Sequence, residues 1–409
     1  MAQAQDAELR PKDVREMGKG GADAIPRLAA LLTNPDVQIR LEAVKQIAEI
    51  DTQHSLDPLV QATRDSDAEI QIRATDGLVN FYLPGYLKTG FASSIRRAGT
   101  SIKGHFTDTN DQAIDPYITP RADVIAALAA MVRNGASLEA RANAARAIGI
   151  LRGKAAMPDL VQAMHAKDTA VIYESLVALQ KIRDPEAASS IAFLLRDIDP
   201  KVQVAAIETT GLLLNKSALP DLAEVLSRTR DNKVRRAALT AIAMLPAESS
   251  REIYARYIGD KDEKMRAAAA EGYARLKNPA DLPMLEKAYQ DEGKTSPRLS
   301  MAFAQVMLGK TEVSEFSPLQ FLVNTLNSAM YHGEAFPFLV ELARDAGVRK
   351  SLYTPLLQGT RDEKVYLARV MARSGDKDDV PQLEKLSHDT DPEAAQEGLR
   401  ALRSLQART

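Results

Sequence analysis

A proline that returns in register every thirty or so residues limits what this chain can fold into more than any other feature of its sequence. Pro26, Pro58, Pro158, Pro220, Pro283 and Pro381 each precede x-Leu or Leu in a shared phrase, as in Ile25-Pro26-Arg27-Leu28, Asp57-Pro58-Leu59, Met157-Pro158-Asp159-Leu160, Leu219-Pro220-Asp221-Leu222, Leu282-Pro283-Met284-Leu285 and Val380-Pro381-Gln382-Leu383. Their separations run 32, 100, 62, 63 and 98 residues, multiples of a period near 31. Proline fits only the first turn of a helix, where its missing N–H would have had no partner, so each one marks a helix start. Fixed periods of this length signify a helical repeat array, in which one body can reach 409 residues without separate globular domains.

About ten residues after each start stands an acidic turn: Asn34-Pro35-Asp36, Asp65-Ser66-Asp67, Asp197-Ile198-Asp199-Pro200, Asp260-Lys261-Asp262 and Asp389-Thr390-Asp391-Pro392. The last acid of each is placed to cap the helix that follows. Behind it comes an Ala-rich segment with apolar residues at helical spacing, for example Ile39, Ala43, Val44 and Ile47. The unit is therefore helix, tight turn, helix, and the fold class expected is an all-α solenoid of stacked helix pairs. A position in the second helix recurs as Arg40, Arg73, Arg141, Tyr173, Ala205, Arg235 and Arg266, five of them arginine.

This pattern of Pro-opened helix, Asp turn and Val-x-x-Arg-x-x-Ala helix resembles HEAT repeats of the short bacterial kind named after the phycobilisome lyases. The resemblance implies a stacked α-solenoid over nearly the whole chain. It implies less about function, since the family holds lyases, adaptors and many proteins of no known role.

The repeats divide the chain into a polar N-terminal segment or cap at 1–23, repeats one and two at 24–81, an insertion at 82–120, repeats three to eight at 123–310, a degenerate helical stretch at 311–376, and a C-terminal repeat and cap at 378–409, all expected as one continuous solenoid. Insertions in such arrays map to one face, often the binding face. The insertion is basic and aromatic, and its Phe91, Ile95, Ala98 and Ile102 have helical spacing with Arg96 and Arg97 off that stripe. Tyr86, Lys88, Phe91, Arg96, Arg97 and Lys103 are its candidate partner-binding residues; the competing reading is a lid whose apolar stripe packs on the solenoid. Asp108 to Asp115 begins like a calcium loop, but Ala113 stands where the turn glycine belongs and Thr119 where the bidentate Glu belongs, so a polar turn is expected instead. Phe316, Phe321, Tyr331, His332, Phe336 and Phe338 form a second aromatic concentration, either interface anchors or core filling where the repeats lose register. Arg40, Arg73, Arg141, Arg235 and Arg266 read as a structural ladder pairing with turn acids, against a positive groove for phosphates.

Composition removes several classes. Lys+Arg 53 against Asp+Glu 55 leaves a net charge of -2, so no global pull toward nucleic acid exists. With no cysteine there is no disulfide, thiolate metal site or cysteine nucleophile. The five histidines are scattered and none is followed by Glu, so neither the His-Glu-x-x-His metalloprotease motif nor the paired His-Glu motifs of HEAT-repeat hydroxylases is present. No Gly-x-x-x-x-Gly-Lys loop or Gly-x-Ser-x-Gly elbow occurs, and the chain has no Trp. The expectation is a non-enzymatic scaffold or adaptor, monomeric, without cofactor or metal, binding a protein or peptide on the concave surface of the second helices, on the insertion, or on both. The alternative is a lyase-like or chaperone-like protein holding a small cofactor or chromophore under the insertion. No apolar run suffices to span a membrane. The compartment stays open between cytoplasmic and exported, the latter if Met1-Ala2-Gln3-Ala4-Gln5 stands where a signal peptide has been removed.

Overall fold

The computed structural model describes residues 9–87 and 112–407, and among them every regular element is helical. The chain forms two compact units, one of residues 1–114 and 118–209 and one of 115–117 and 210–409, and the boundary falls inside the helix Pro200–Leu212 rather than at a linker.

In the first unit the helix Pro11–Gly18 caps the array, burying Val14 completely and pairing Arg15 with Glu42 at 3.0 Å. The polar N-terminal segment thus contains a helix that the period alone did not show. Second helices follow at Val37–Ile50, Ala68–Tyr82, Leu138–Ile150, Thr169–Ile182 and the first part of Pro200–Leu212, each preceded by a first helix that is shorter or, for Leu138–Ile150, of equal length. The prolines sit where the sequence places them: Pro26 and Pro158 are second residues of Ile25–Ala30 and Met157–Ala163, and Pro58 is the third of Leu56–Ala62. Asp36, Asp67 and Asp168 cap the second helices by accepting from backbone N–H groups two or three residues on. Consecutive second helices approach closely because small residues meet. A Cβ on Gly149 would lie 2.7 Å from the Cα of Ala178, and one on Gly77 would lie 2.8 Å from the Cβ of Ala48. The fifth repeat differs, since its first helix, Pro185–Arg196, is wound as successive 3₁₀ turns, leaving Phe193 half-exposed on His165 and Ile198 98% exposed.

In the second unit the second helices are Asn232–Met244, Glu263–Leu276, Thr295–Met307, His332–Leu342, Arg361–Ser374 and Pro392–Gln406. Asp231, Asp262 and Asp391 cap three of them. Tyr254 fills the gap left by Gly272; its hydroxyl donates to the carbonyl of Ile242 at 3.1 Å, and burial pushes its pKa up to about 12. The stretch 311–376 is irregular in phrase yet helical in fact, with Pro318–Thr325 and His332–Leu342 followed by Ala346–Gln358 and Arg361–Ser374. Pro318 opens its short helix, but Pro337 and Pro355 lie inside helices, so proline no longer marks starts alone here. No helix among the described residues is long and apolar enough to cross a membrane.

Candidate functional site

Counting each second helix from its capping residue reveals two recurring registers. The fourth residue after the cap reaches back over its own turn. Arg40 Nη1 donates to Asn34 O at 2.9 Å and Arg266 Nη1 to Asp260 O at 2.8 Å; Arg141, Gln71 and Gln203 make the same kind of bond to Val132 O, Asp65 O and Leu195 O, and Arg349, on the first helix Ala346–Gln358, makes it to Ala343 O. These donors satisfy carbonyls left open as the first helix ends. Where an acid stands two residues before the next cap, the same side chain also crosses to the next repeat. Arg40 grips Asp65 through two bonds of 2.7 and 3.0 Å, Arg266 grips Glu292 at 2.7 and 2.9 Å, and Lys364 reaches Asp389 at 2.7 Å. Burial works to raise the pKa values of Asp65 and Glu292, but the guanidinium and nearby backbone N–H groups outweigh it and hold both carboxyls below their ordinary values.

The recurring arginines expected as one ladder therefore divide. Arg40, Arg141, Arg235 and Arg266 share the fourth position, whereas Arg73 is the sixth residue after Asp67 and pairs with Glu69 of its own helix at 2.7 Å. Arg235 has Asp260 available in the right register but donates to Asn232 at 3.3 Å instead, and Arg236 pairs with Asp262 at 2.8 Å. The variable length of the acidic turn shifts the phrase that the sequence alignment followed, so Gln71, Gln203, Lys364 and Arg349 went unrecognised as equivalents.

A second register joins the ninth residue of one second helix to the sixth of the next. Asn143 donates to Asp76 at 3.0 Å and Arg146 to Glu174 at 2.6 Å in the first unit; Ser300 donates to Glu271 at 3.2 Å and Arg369 to Glu397 at 3.2 Å in the second. In the first unit this surface is closed: Asp76, Asn143 and Glu174 are all buried. Tyr86 is buried beside it, in a segment fixed by Leu87 N–H donating to Asn80 Oδ1 at 2.9 Å. Lys88, Phe91, Arg96, Arg97 and Lys103 lie outside the described residues. The chain returns with Ile114 N–H on the carbonyl of Ile150 at 2.9 Å. The first half of the calcium-like loop, residues 108–111, likewise lies outside the described residues; of its acids, Asp115 is described, and Arg400 Nε donates to it at 2.8 Å.

In the second unit the same surface carries rings under cations. His332 and Phe336 of one helix face Tyr366 of the next at centroid distances of 5.0 and 6.1 Å. The Arg373 guanidinium lies 4.7 Å from the Phe336 ring and that of Arg369 lies 5.3 Å from Tyr366. His332, Phe336 and Tyr366 remain half-buried and Arg373 is exposed. One layer inward, Phe303 is fully buried and stacks on Phe338 at 4.7 Å, with Arg275 over it and held by Glu341 through bonds of 2.8 and 2.7 Å. The aromatic concentration thus divides: Phe338 fills space, Phe321 packs against Tyr289 with Arg298 over both rings, and Phe336 and Tyr366 reach the surface. Phe316 stands 88% exposed at a positive φ of 64°. The sequence signalled these residues by enrichment only; Tyr366, Arg369 and Arg373 escaped notice because their partners are some thirty residues away.

Among the described residues no group of His, Asp and Glu could hold a metal ion. No curated protein matches the sequence significantly. Solved structures that it resembles include an engineered protein at 18% identity, covering 93% of this chain and 98% of that one with a TM-score of 0.41. Another is the complex of CpcE and CpcF of phycocyanin lyase from Nostoc sp. PCC7120, at 16% identity over 78% of this chain and 96% of that one, TM-score 0.34. A third is YibA of Escherichia coli, at 14% identity over 74% and 99%, TM-score 0.42. The sequence model of HEAT repeats matches residues 1–85, 125–209, 188–253 and 219–304, more than half of the chain, and by that match the protein belongs to the HEAT-repeat family.

Proposed function

We propose that this chain is a non-enzymatic interaction scaffold that holds a protein partner on the second-helix surface of its second unit, with Phe336, Tyr366, Arg369 and Arg373 as the contact. The observation that carries the reading is the pair of half-open rings, Phe336 and Tyr366, each lying under a guanidinium. Aromatic and arginine side chains dominate the energetics of protein interfaces because they offer large contact area with a polar handle at little cost in side-chain freedom. HEAT repeats are in general a protein-interaction fold, which agrees with this reading.

The test is affinity capture from lysate and cell-envelope extracts with three proteins: the intact chain, the variant Phe336→Ala/Tyr366→Ala/Arg373→Ala, and a chain whose residues 85–106 are replaced by a Gly/Ser loop. A partner lost only from the triple variant, with affinity reduced on the order of tenfold or more, supports the surface named here. A partner lost only with the loop replacement makes the insertion the contact and overturns that surface. A small molecule retained in native mass spectrometry, with no protein captured, would favour the lyase-like alternative over a scaffold.

A further inference from the structure

A groove of about 380 Å³ opens on the turn side of the second unit, lined by Arg236, Lys261, Asp262, Glu263, Arg266 and Lys294. It lies where the turns of two successive repeats meet, and four of its six lining side chains are cationic in a chain whose net charge is -2. The cations are not equally engaged. Arg266 is consumed, bound to Glu292 and to the carbonyls of Asp260 and Lys261. Arg236 spends only its Nε, on Asp262 at 2.8 Å, which leaves both terminal nitrogens without a partner on a side chain 45% exposed. Lys261 and Lys294 are exposed, and neither ammonium makes an ion pair among the described residues. The neighbouring turn adds Arg230, Lys233 and Arg235 against a single Asp231.

We infer that this groove is a docking site for an acidic polypeptide segment, two or three Asp or Glu side chains of a partner set among Arg236, Lys261 and Lys294. Charge complementarity selects the sign of the occupant. The lining selects its class: it contains no aromatic residue on which a base could stack, and Asp262 and Glu263 interrupt the positive track that a phosphodiester backbone would follow. A short run of carboxylates can reach Lys261, Lys294 and the terminal nitrogens that Arg236 leaves beside its pair with Asp262, and pass over those two acids. The inference rests on the scaffold reading above, yet it uses different residues, so each can fail alone.

The experiment measures fluorescence anisotropy of a labelled octapeptide of alternating Glu and Asp, titrated with the full chain at low and at physiological salt. Three proteins are compared: wild type, Arg236→Glu/Lys261→Glu/Lys294→Glu, and a charge-matched control, Lys350→Glu/Lys377→Glu/Lys385→Glu, drawn from exposed lysines of the same unit. All six positions are surface side chains, and circular dichroism confirms that each variant is folded. The expected result is binding that weakens with salt, falls about tenfold or more in the groove variant and less than about twofold in the control. The Phe336→Ala/Tyr366→Ala/Arg373→Ala variant should bind the peptide as wild type does, which separates this site from the aromatic surface. Equal loss in groove variant and control, no binding at low salt, or tighter binding of single-stranded RNA of equal charge that the groove variant abolishes would each overturn the inference.

Discussion

Arg40 and Arg266 each close their own turn and hold the next repeat with one guanidinium, and both are largely enclosed with their acids. Removing such a group strands a carboxylate and opens carbonyls at once, so Arg40→Ala and Arg266→Ala should each cost about 2 kcal/mol in urea unfolding. Arg235→Ala, whose guanidinium donates to Asn232 of its own helix and spans to no acid of the next repeat among the described residues, should stay within about 0.5 kcal/mol. The same pairs set an acid limit. Asp65 and Glu292 have folded-state pKa values below those of the unfolded chain, so their stabilisation is present above the ordinary carboxylate range near pH 4 and is lost as pH falls through the lowered values. Melting temperature should therefore drop on acidification below about pH 4, and less steeply in Arg40→Gln/Arg266→Gln, as calorimetry between pH 5 and 2.5 would register. The five recurring arginines were visible in the sequence, but their roles were not. Whether a turn holds one residue more or less moves a side chain from the turn to the helix flank, as Arg73 illustrates, and only the capping bond fixes the count.

Between elements, the decisive residues are those with almost no side chain. Gly149 lies against the backbone of Ala178, so Gly149→Ala should destabilise by about 1–3 kcal/mol, reversing the gain of up to about 1 kcal/mol that the same change gives in an unpacked helix. Gly259 has nothing within 4 Å of where a Cβ would stand, and Gly259→Ala should leave the melting temperature unchanged or slightly raised. The helix pairs themselves were legible because proline, acidic turn and apolar spacing are local signals that agree with one another. The second aromatic concentration was legible only as a composition. Which of its rings fill space and which reach the surface depends on helices brought together from 303, 336 and 366, and no local pattern carries that. The helix Pro11–Gly18 was hidden for a related reason: it has a single buried anchor, Val14, where periodicity needs several.

Over the whole molecule, burial is concentrated in the second helices. Leu138–Ile150 and Thr295–Met307 are covered along almost their full length, whereas Pro392–Gln406 keeps one face open. Native-state hydrogen exchange should consequently be slowest in the first two and among the fastest in Pro392–Gln406 and Pro11–Gly18; uniform protection across all helices would contradict this ordering. The bond from Arg40 to Asp65, repeated as Arg266 to Glu292 and Lys364 to Asp389, also has a direction, because each time the cation belongs to the earlier repeat and the acid to the next. The repeat at 55–81 receives on Asp65 but has Gln71 in the sending position, whose Oε1 accepts from the Ala136 N–H of the next repeat at 2.8 Å in place of a charge pair. Gene duplication therefore meets a matching rule in this chain: a copied repeat keeps this charge pair only where its outgoing cation meets an incoming acid, and a copy placed elsewhere leaves that cation without its partner acid.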